Sequence, residues 1–143
     1  MQKIIHYLNI RSPKEQVYEA IATVDGLSNW WSTKVKGSEK EGGIVDFTFV
    51  DNFNPNMKIT SLKKNSEVRW ICISGHDLWE DNKFAFELSE DSEGTKLKFT
   101  QEYAKPIRDE DYGIYNFNWA HYLRSLQEYC TTGKGKPYSP GVN

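Results

Sequence analysis

From Gly42 to Glu102 the chain adopts a period of two and holds it through five successive segments. Residues 43–50 place Val45, Phe47 and Phe49 on one face, and residues 56–63 carry Met57, Ile59 and Leu62. Residues 67–74 set Val68, Trp70 and Cys72 on one side and Ile71 and Ile73 on the other. Residues 80–89 supply Phe84, Phe86 and Leu88, and residues 95–102 supply Leu97 and Phe99. The links carry turn chemistry: Asn54-Pro55-Asn56, Lys64-Asn65-Ser66 and Asp91-Ser92-Glu93-Gly94. Consecutive strands on short turns pair antiparallel, and a large sheet twists. A meander with one aromatic face must therefore find a cover.

The chain offers one element long enough to be that cover. Over residues 112–132 the side chains Tyr115, Trp119, Tyr122, Leu123, Leu126 and Cys130 trace a helical stripe. Such a helix reaches about 30 Å, and Gly133 stops it. At the other end, residues 2–10 read as a strand with Ile4, Leu8 and Ile10 on one face and His6 between them. Ser12 predicts a helix N-cap, with Pro13 in the first turn and Glu15 completing a capping box. The helix buries Val17, Ala20, Ile21 and Val24 and ends at Asp25-Gly26. Residues 27–31, ending in Trp30-Trp31, form a second short helix whose adjacent indoles should point in different directions. The fold class is α+β: a curved antiparallel sheet of six or seven strands wrapped around a long C-terminal helix, with two short helices after the first strand. A helix about 10–12 Å wide cannot fill a strongly curved sheet, so an apolar cavity is expected between them.

The length of 143 residues suits a single domain, assigned to residues 1–133, with a loosely held tail at 134–143. The net charge of −2 offers no field for phosphate backbones, which excludes nucleic acid as a partner. No apolar run approaches the ~20 residues of a membrane span, and the N-terminal run is too short for a signal peptide. Cytoplasmic location follows as an expectation. Cys72 and Cys130 match no zinc or redox spacing and read as buried thiols. No cofactor and no metal are expected; His76, Asp77 and Glu80 read as polar loop residues rather than ligands.

Several segments resemble a known family. Ile10-Arg11-Ser12-Pro13-Lys14-Glu15-Gln16-Val17-Tyr18 resembles its opening, and Leu27-Ser28-Asn29-Trp30-Trp31 its "L-x-x-W-W" signature. Gly42-Gly43 resembles its double-glycine strand, and Trp70 and Trp79 its mid-sheet tryptophans. The run from Trp119 to Leu126 resembles its closing helix, and Gly133-Lys134-Gly135-Lys136-Pro137 its ending. Order and spacing together resemble the START-like, or SRPBCC, superfamily, in the branch named after the activator of the heat shock protein 90 ATPase. The resemblance implies a helix-grip fold with a deep pocket for hydrophobic or amphipathic ligands.

The cavity candidates are Trp30, Trp31, Phe47, Phe49, Trp70, Trp79, Phe84, Phe86 and Phe99 from the helix-turn and sheet. Tyr115, Trp119, Tyr122 and Leu123 join them from the last helix. For each, ordinary core packing competes with ligand contact. The acidic segment 104–111 could be a lid or could simply complement the following helix dipole. No G-x-S-x-G, Walker, dinucleotide or H-E-x-x-H motif is present, so no catalytic residue is assigned. Three functions compete. The first is binding of a small lipid-like or aromatic molecule. The second is a cyclase- or dehydratase-like enzyme using His121, Tyr115, Tyr122 or Trp30. The third is a co-chaperone-type interaction module, ranked lowest. A homodimer is compatible with all three.

Overall fold

The structure, a computed structural model, describes residues 1–140. The last three residues of the expected tail lie outside the described residues. Seven strands form one antiparallel sheet: β1 (Lys3–Ile10), β2 (Lys34–Gly37), β3 (Ile44–Thr48), β4 (Asn56–Lys63), β5 (Glu67–Ser74), β6 (Lys83–Asp91) and β7 (Gly94–Glu102). Their spatial order is β1-β7-β6-β5-β4-β3-β2. The meander from β2 to β7 is sequential, and β1 returns to pair along its whole length with β7. The helices are α1 (Lys14–Ala22), α2 (Val24–Ser28) and α3 (Asp109–Thr132).

Alternation does what the sequence analysis expects. Val45, Phe47, Met57, Ile59, Val68, Trp70, Cys72, Phe84, Phe86, Leu97 and Phe99 are all buried, and α3 contributes Trp119, Leu123 and Leu126 from its opposing stripe. Register shifts between Ile59 and Ser61 interrupt the β4–β5 ladder, and such irregularities increase local bend. The opposite face of the sheet is charged. There Arg69 pairs with Glu67 at 3.1 Å and Glu87 at 3.5 Å.

Four local expectations need correction. Ser12 does not cap α1: Pro13 occupies the cap position, and the Ser12 hydroxyl donates to Gln16 Oε1 at 2.6 Å. Asp25-Gly26 does not end the first helix. Thr23 ends α1 and its hydroxyl accepts from the Gly26 N–H at 2.9 Å, so α2 begins at once. Gly26 is there because α1 and α2 touch; a Cβ on it would lie 2.4 Å from the Glu19 carbonyl oxygen. Strand β2 has no apolar alternation to announce it, since Lys-Val-Lys-Gly is a short, charged sheet edge of the kind that resists edge-to-edge pairing. Finally, α3 begins at Asp109, three residues before the apolar stripe suggests. Asp109, Glu110 and Asp111 form its first turn, where negative charge meets the positive helix end.

Residues 134–140 are not loose. Lys136 N–H donates to Ser125 Oγ at 2.6 Å, and Ser125 Oγ donates to the Trp30 carbonyl at 2.9 Å. Tyr138 exchanges backbone hydrogen bonds with the Trp31–Thr33 segment at 2.8 and 2.9 Å. The tail thus straps α3 to the double-tryptophan turn.

One contact locks α3 onto the sheet. The Trp119 ring lies 4.2 Å from Phe99, and its N–H donates to the buried Gln101 Oε1 at 2.8 Å. Large-to-small truncation of a buried tryptophan costs ~3–5 kcal/mol. Trp119→Ala should lower the urea unfolding free energy by about that much, with Trp119→Phe retaining part of it. A loss below ~1 kcal/mol, the usual scale of a surface change, would show that α3 is held elsewhere.

Candidate functional site

All five tryptophans converge under α3. Trp31 is the hub. Its ring centroid lies 6.1 Å from Trp30, 6.0 Å from Trp70, 6.4 Å from Trp79 and 5.0 Å from Trp119, with interplanar angles between 14° and 27°. Phe47 and Phe49 meet it at 4.4 and 5.1 Å. The adjacent indoles of Trp30 and Trp31 are therefore nearly parallel rather than divergent. Trp30 is pinned to α1, its N–H donating to the Ala20 carbonyl at 2.8 Å, while Trp31 reaches the centre. Offset rings at these separations attract one another beyond their area burial.

This packing removes most of the expected hollow. What remains is an aromatic cleft of about 200 Å³ at one end of α3. Trp31, Phe49, Phe53, Trp79 and Trp119 form its inner surface, and Val50, Tyr115, Asn118, Tyr122 and Tyr138 complete it. No lining side chain carries a formal charge. Two of the larger depressions on the molecule are of another kind. One, of about 520 Å³, lies on the charged outer sheet face between Lys3, Arg69, Lys83 and Glu102. The other, of about 440 Å³, lies between α1–α2 and the end of α3, beside Glu19 and Asp25. Neither has the apolar, ring-lined character of a small-molecule site.

Of the sequence-derived candidates, Trp31, Phe49, Trp79, Tyr115, Trp119 and Tyr122 line the cleft. Trp30, Phe47, Trp70, Phe84, Phe86, Phe99 and Leu123 do not; they are solid core. Val50, Phe53, Asn118 and Tyr138 also line the cleft and were not among those candidates. Phe53 and Tyr138 lie in irregular segments with no periodicity to mark them. The acidic segment 104–111 does not border the cleft. It is tied instead to the N-terminus, where Ile107 and Gln2 exchange hydrogen bonds at 2.8 and 3.2 Å. The docked tail borders it, through Tyr138.

Two loops are clamped together behind Phe53 and Trp79. Gly75, at φ 89°, lets the chain pass so close to Asn54 that a Cβ would sit 1.9 Å from the Asn54 carbonyl oxygen. The Asn54 N–H donates to the Gly75 carbonyl at 2.9 Å, and the Asn54 side chain accepts from the Phe49 N–H at 2.7 Å. This brings Phe53 against His76, centroid to centroid 4.5 Å. His76 also lies flat on Trp79 at 4.7 Å and 3°, and meets Tyr115 edge-on at 5.3 Å. It is only 5% exposed, and neither ring nitrogen has a hydrogen-bond partner. Burial pushes its pKa down to about 4, with the nearby Asp77 charge opposing weakly. Tyr103, 1% exposed, has an unpaired hydroxyl whose pKa burial pushes well up. The Trp79 N–H faces that hydroxyl and offsets part of the rise, but the approach falls outside hydrogen-bonding geometry.

Among the described residues no three His, Cys, Asp or Glu side chains gather as a metal would require, and no helix is long and apolar enough to cross a membrane. The cysteines are free. Cys72 is buried, Cys130 only partly so, and desolvation raises their thiols to about 11 and about 12. Such thiols are protonated and inert at neutral pH.

The family profile described as Activator of Hsp90 ATPase homolog 1-like protein matches residues 11–131, from the end of β1 to the last turn of α3. The chain belongs to that family. Among solved structures it is similar to the Aha1 dimer from Colwellia psychrerythraea, with 28% identity and a TM-score of 0.83 over 94% of this chain and 100% of that one. It is also similar in fold to a protein from Staphylococcus saprophyticus, at 17% identity and TM-score 0.74, covering 94% and 96% of the two chains. CalU16 from Micromonospora echinospora matches at 18% and 0.75, covering 94% of this chain and 69% of its own. No curated protein matches the sequence. As an Activator of Hsp90 ATPase homolog 1-like protein, the chain shares the helix-grip architecture of these neighbours.

The buried histidine has a consequence for stability. A histidine whose folded pKa lies below its unfolded value of about 6.5 favours the native state above that value. The contribution is lost as pH falls toward the folded pKa. With the folded value near 4, unfolding free energy should drop by roughly 2 kcal/mol between pH 7 and pH 5 from His76 alone. Urea melts of His76→Phe should lack that part of the slope; an unchanged slope would mean the imidazole is not buried.

Proposed function

We propose that the protein binds a small, uncharged, ring-bearing molecule in the aromatic cleft. One observation carries this reading: an opening within the fold walled by indole and phenyl rings, edged by neutral polar groups and free of formal charge. Ligand sites are predominantly apolar with a few placed polar groups, and the cleft fits that description on a reduced scale. Its volume favours the aromatic over the lipid-like alternative. An engineered cavity of about 150 Å³ holds benzene, so about 200 Å³ suits one or two rings, and a long acyl chain would need the tryptophan stack to part. An acid–base reaction would require two titratable groups in hydrogen-bonding register with a substrate. The cleft lining supplies only the phenols of Tyr115, Tyr122 and Tyr138, so binding is carried forward ahead of catalysis.

Self-association is a second reading. The Colwellia neighbour is described as a dimer, and α3 of this chain turns Phe117, 75% exposed, and Ile114, 49% exposed, to solvent. Sedimentation equilibrium of the wild type and Phe117→Ser separates a dimer that uses this face from a monomer.

Naphthalene is a suitable probe of the cleft. It should quench tryptophan fluorescence with a Kd on the order of 10–100 µM, the range for about ten well-buried atoms. Val50, half exposed at the edge of the cleft, offers a plug. Val50→Trp should weaken binding at least tenfold while changing stability by less than about 0.5 kcal/mol, as surface substitutions do. Unaltered affinity in Val50→Trp, or no quenching in the wild type, would refute the reading.

A further inference from the structure

The outward face of α3 carries a second pattern, separate from the stripe that grips the sheet. Gly113, Ile114, Phe117, Ala120 and His121 are all exposed. They stand three and four residues to either side of Phe117, which is the seam spacing of paired helices. Glu110 and Arg124, also exposed, bound the row, each seven residues from Phe117. Gly113 adds an independent observation. Glycine inside a helix is destabilising relative to alanine, and nothing in the chain demands one here, since a Cβ at Gly113 would meet no atom within 4 Å. The space it leaves opens outward. Charge then narrows the choice of occupant. Asp111 pairs with Arg108, and Glu128 with Lys136. Glu110 and Arg124, at opposite ends of the row, have no ion-pair partner among the described residues.

We propose that α3 pairs antiparallel with α3 of a second copy of this chain, about a two-fold axis at Phe117. This rests on the self-association reading above and adds orientation and register to it. Seven residues make two helical turns, so Glu110 and Arg124 sit about 10 Å to either side of Phe117 on nearly the same face. A two-fold axis at Phe117 sets Glu110 of each copy against Arg124 of the other, twice per dimer. The same operation brings Gly113 beside Ala120 of the second copy, where two small side chains let the helices approach closely. It also brings Ile114 beside the second copy's His121, and Phe117 against its own counterpart. A parallel pairing would instead oppose Glu110 to Glu110 and Arg124 to Arg124, and like charges across an interface are costly. A contact of this kind is isologous: each patch is its own complement, and the pair closes without further growth. A foreign partner accounts for none of that self-complementarity.

Charge reversal followed by sedimentation equilibrium tests this. One helix face is a small interface of the weak, transient class, so the wild type should dimerise with a Kd on the order of 10–100 µM. Glu110→Arg sets arginine against arginine, and Arg124→Glu sets glutamate against glutamate, so each alone should weaken the dimer about tenfold or more. Both reversals in one chain restore the pairing at unchanged net charge, and that double variant should dimerise within about threefold of the wild type. The two single variants, mixed in equal amounts, should form a heterodimer that neither forms with itself. A wild-type dimer indifferent to the single reversals, or a double variant as weak as the singles, overturns the antiparallel register while leaving self-association standing. A dimer that survives Phe117→Ser overturns it too, by placing the contact on another face. A wild type that stays monomeric throughout this range removes the self-association reading along with the register, which distinguishes the two failures. Both reversed positions are exposed, and the double variant reports on pairing even if one single variant folds poorly.

Discussion

Trp31 makes ring contact with every other tryptophan in the chain, and the rest of the fold is arranged around that contact. A curved antiparallel sheet leaves a concavity that one helix cannot fill. Here flat rings fill it. Trp70 rises from the sheet, Trp119 descends from α3, Trp79 enters from the β5–β6 connection, and Trp30 braces the stack against α1. Rings are economical in this role, since each covers a large area while fixing few torsions. The same contact explains the docked tail, because residues 134–140 are hydrogen-bonded to the segment that carries Trp30 and Trp31.

Filling the concavity from the centre outward leaves space only where ring supply ends. The cleft lies at that limit, between Trp31, Trp79 and Trp119 on the inside and the tyrosines of α3 and the tail on the outside. Behind Trp79, outside the cleft, the fold leaves polar atoms of His76, Trp79 and Tyr103 without partners. A folding sequence tends to avoid such groups, and local inconsistencies of this kind cluster where function is served. The depressed pKa of His76 reflects the same tension, burial against charge.

Much of the architecture was legible in the residues. Strand positions followed from alternation at Val45, Phe47, Val68, Trp70, Phe84 and Phe86, because a strand with one buried face must repeat every second residue. The α3 stripe followed from 3.6-residue spacing. Legibility failed where the determining contact was distant or the signal weak. β2 is a strand because it pairs with β3, with no apolar pattern of its own. Gly26 looked like a helix terminator because its reason for being glycine, the approach of Glu19, belongs to another helix. Seven of the thirteen candidate cleft residues proved to be core, since alternation says which face a side chain takes and nothing about what stands opposite.

By itself, then, the sequence determined the order of the elements, their apolar faces and the need for a cover. Those are properties of short windows, and periodicity records them. The tertiary structure alone decided how much space survived and who borders it. A cavity is the small remainder of large side-chain volumes brought together from distant parts of the chain, and no local pattern can express that difference. Phe53 and Tyr138 reach the cleft through the Asn54–Gly75 clamp and the tail's hydrogen bonds to Trp31 and Thr33, which exist only once the chain has folded.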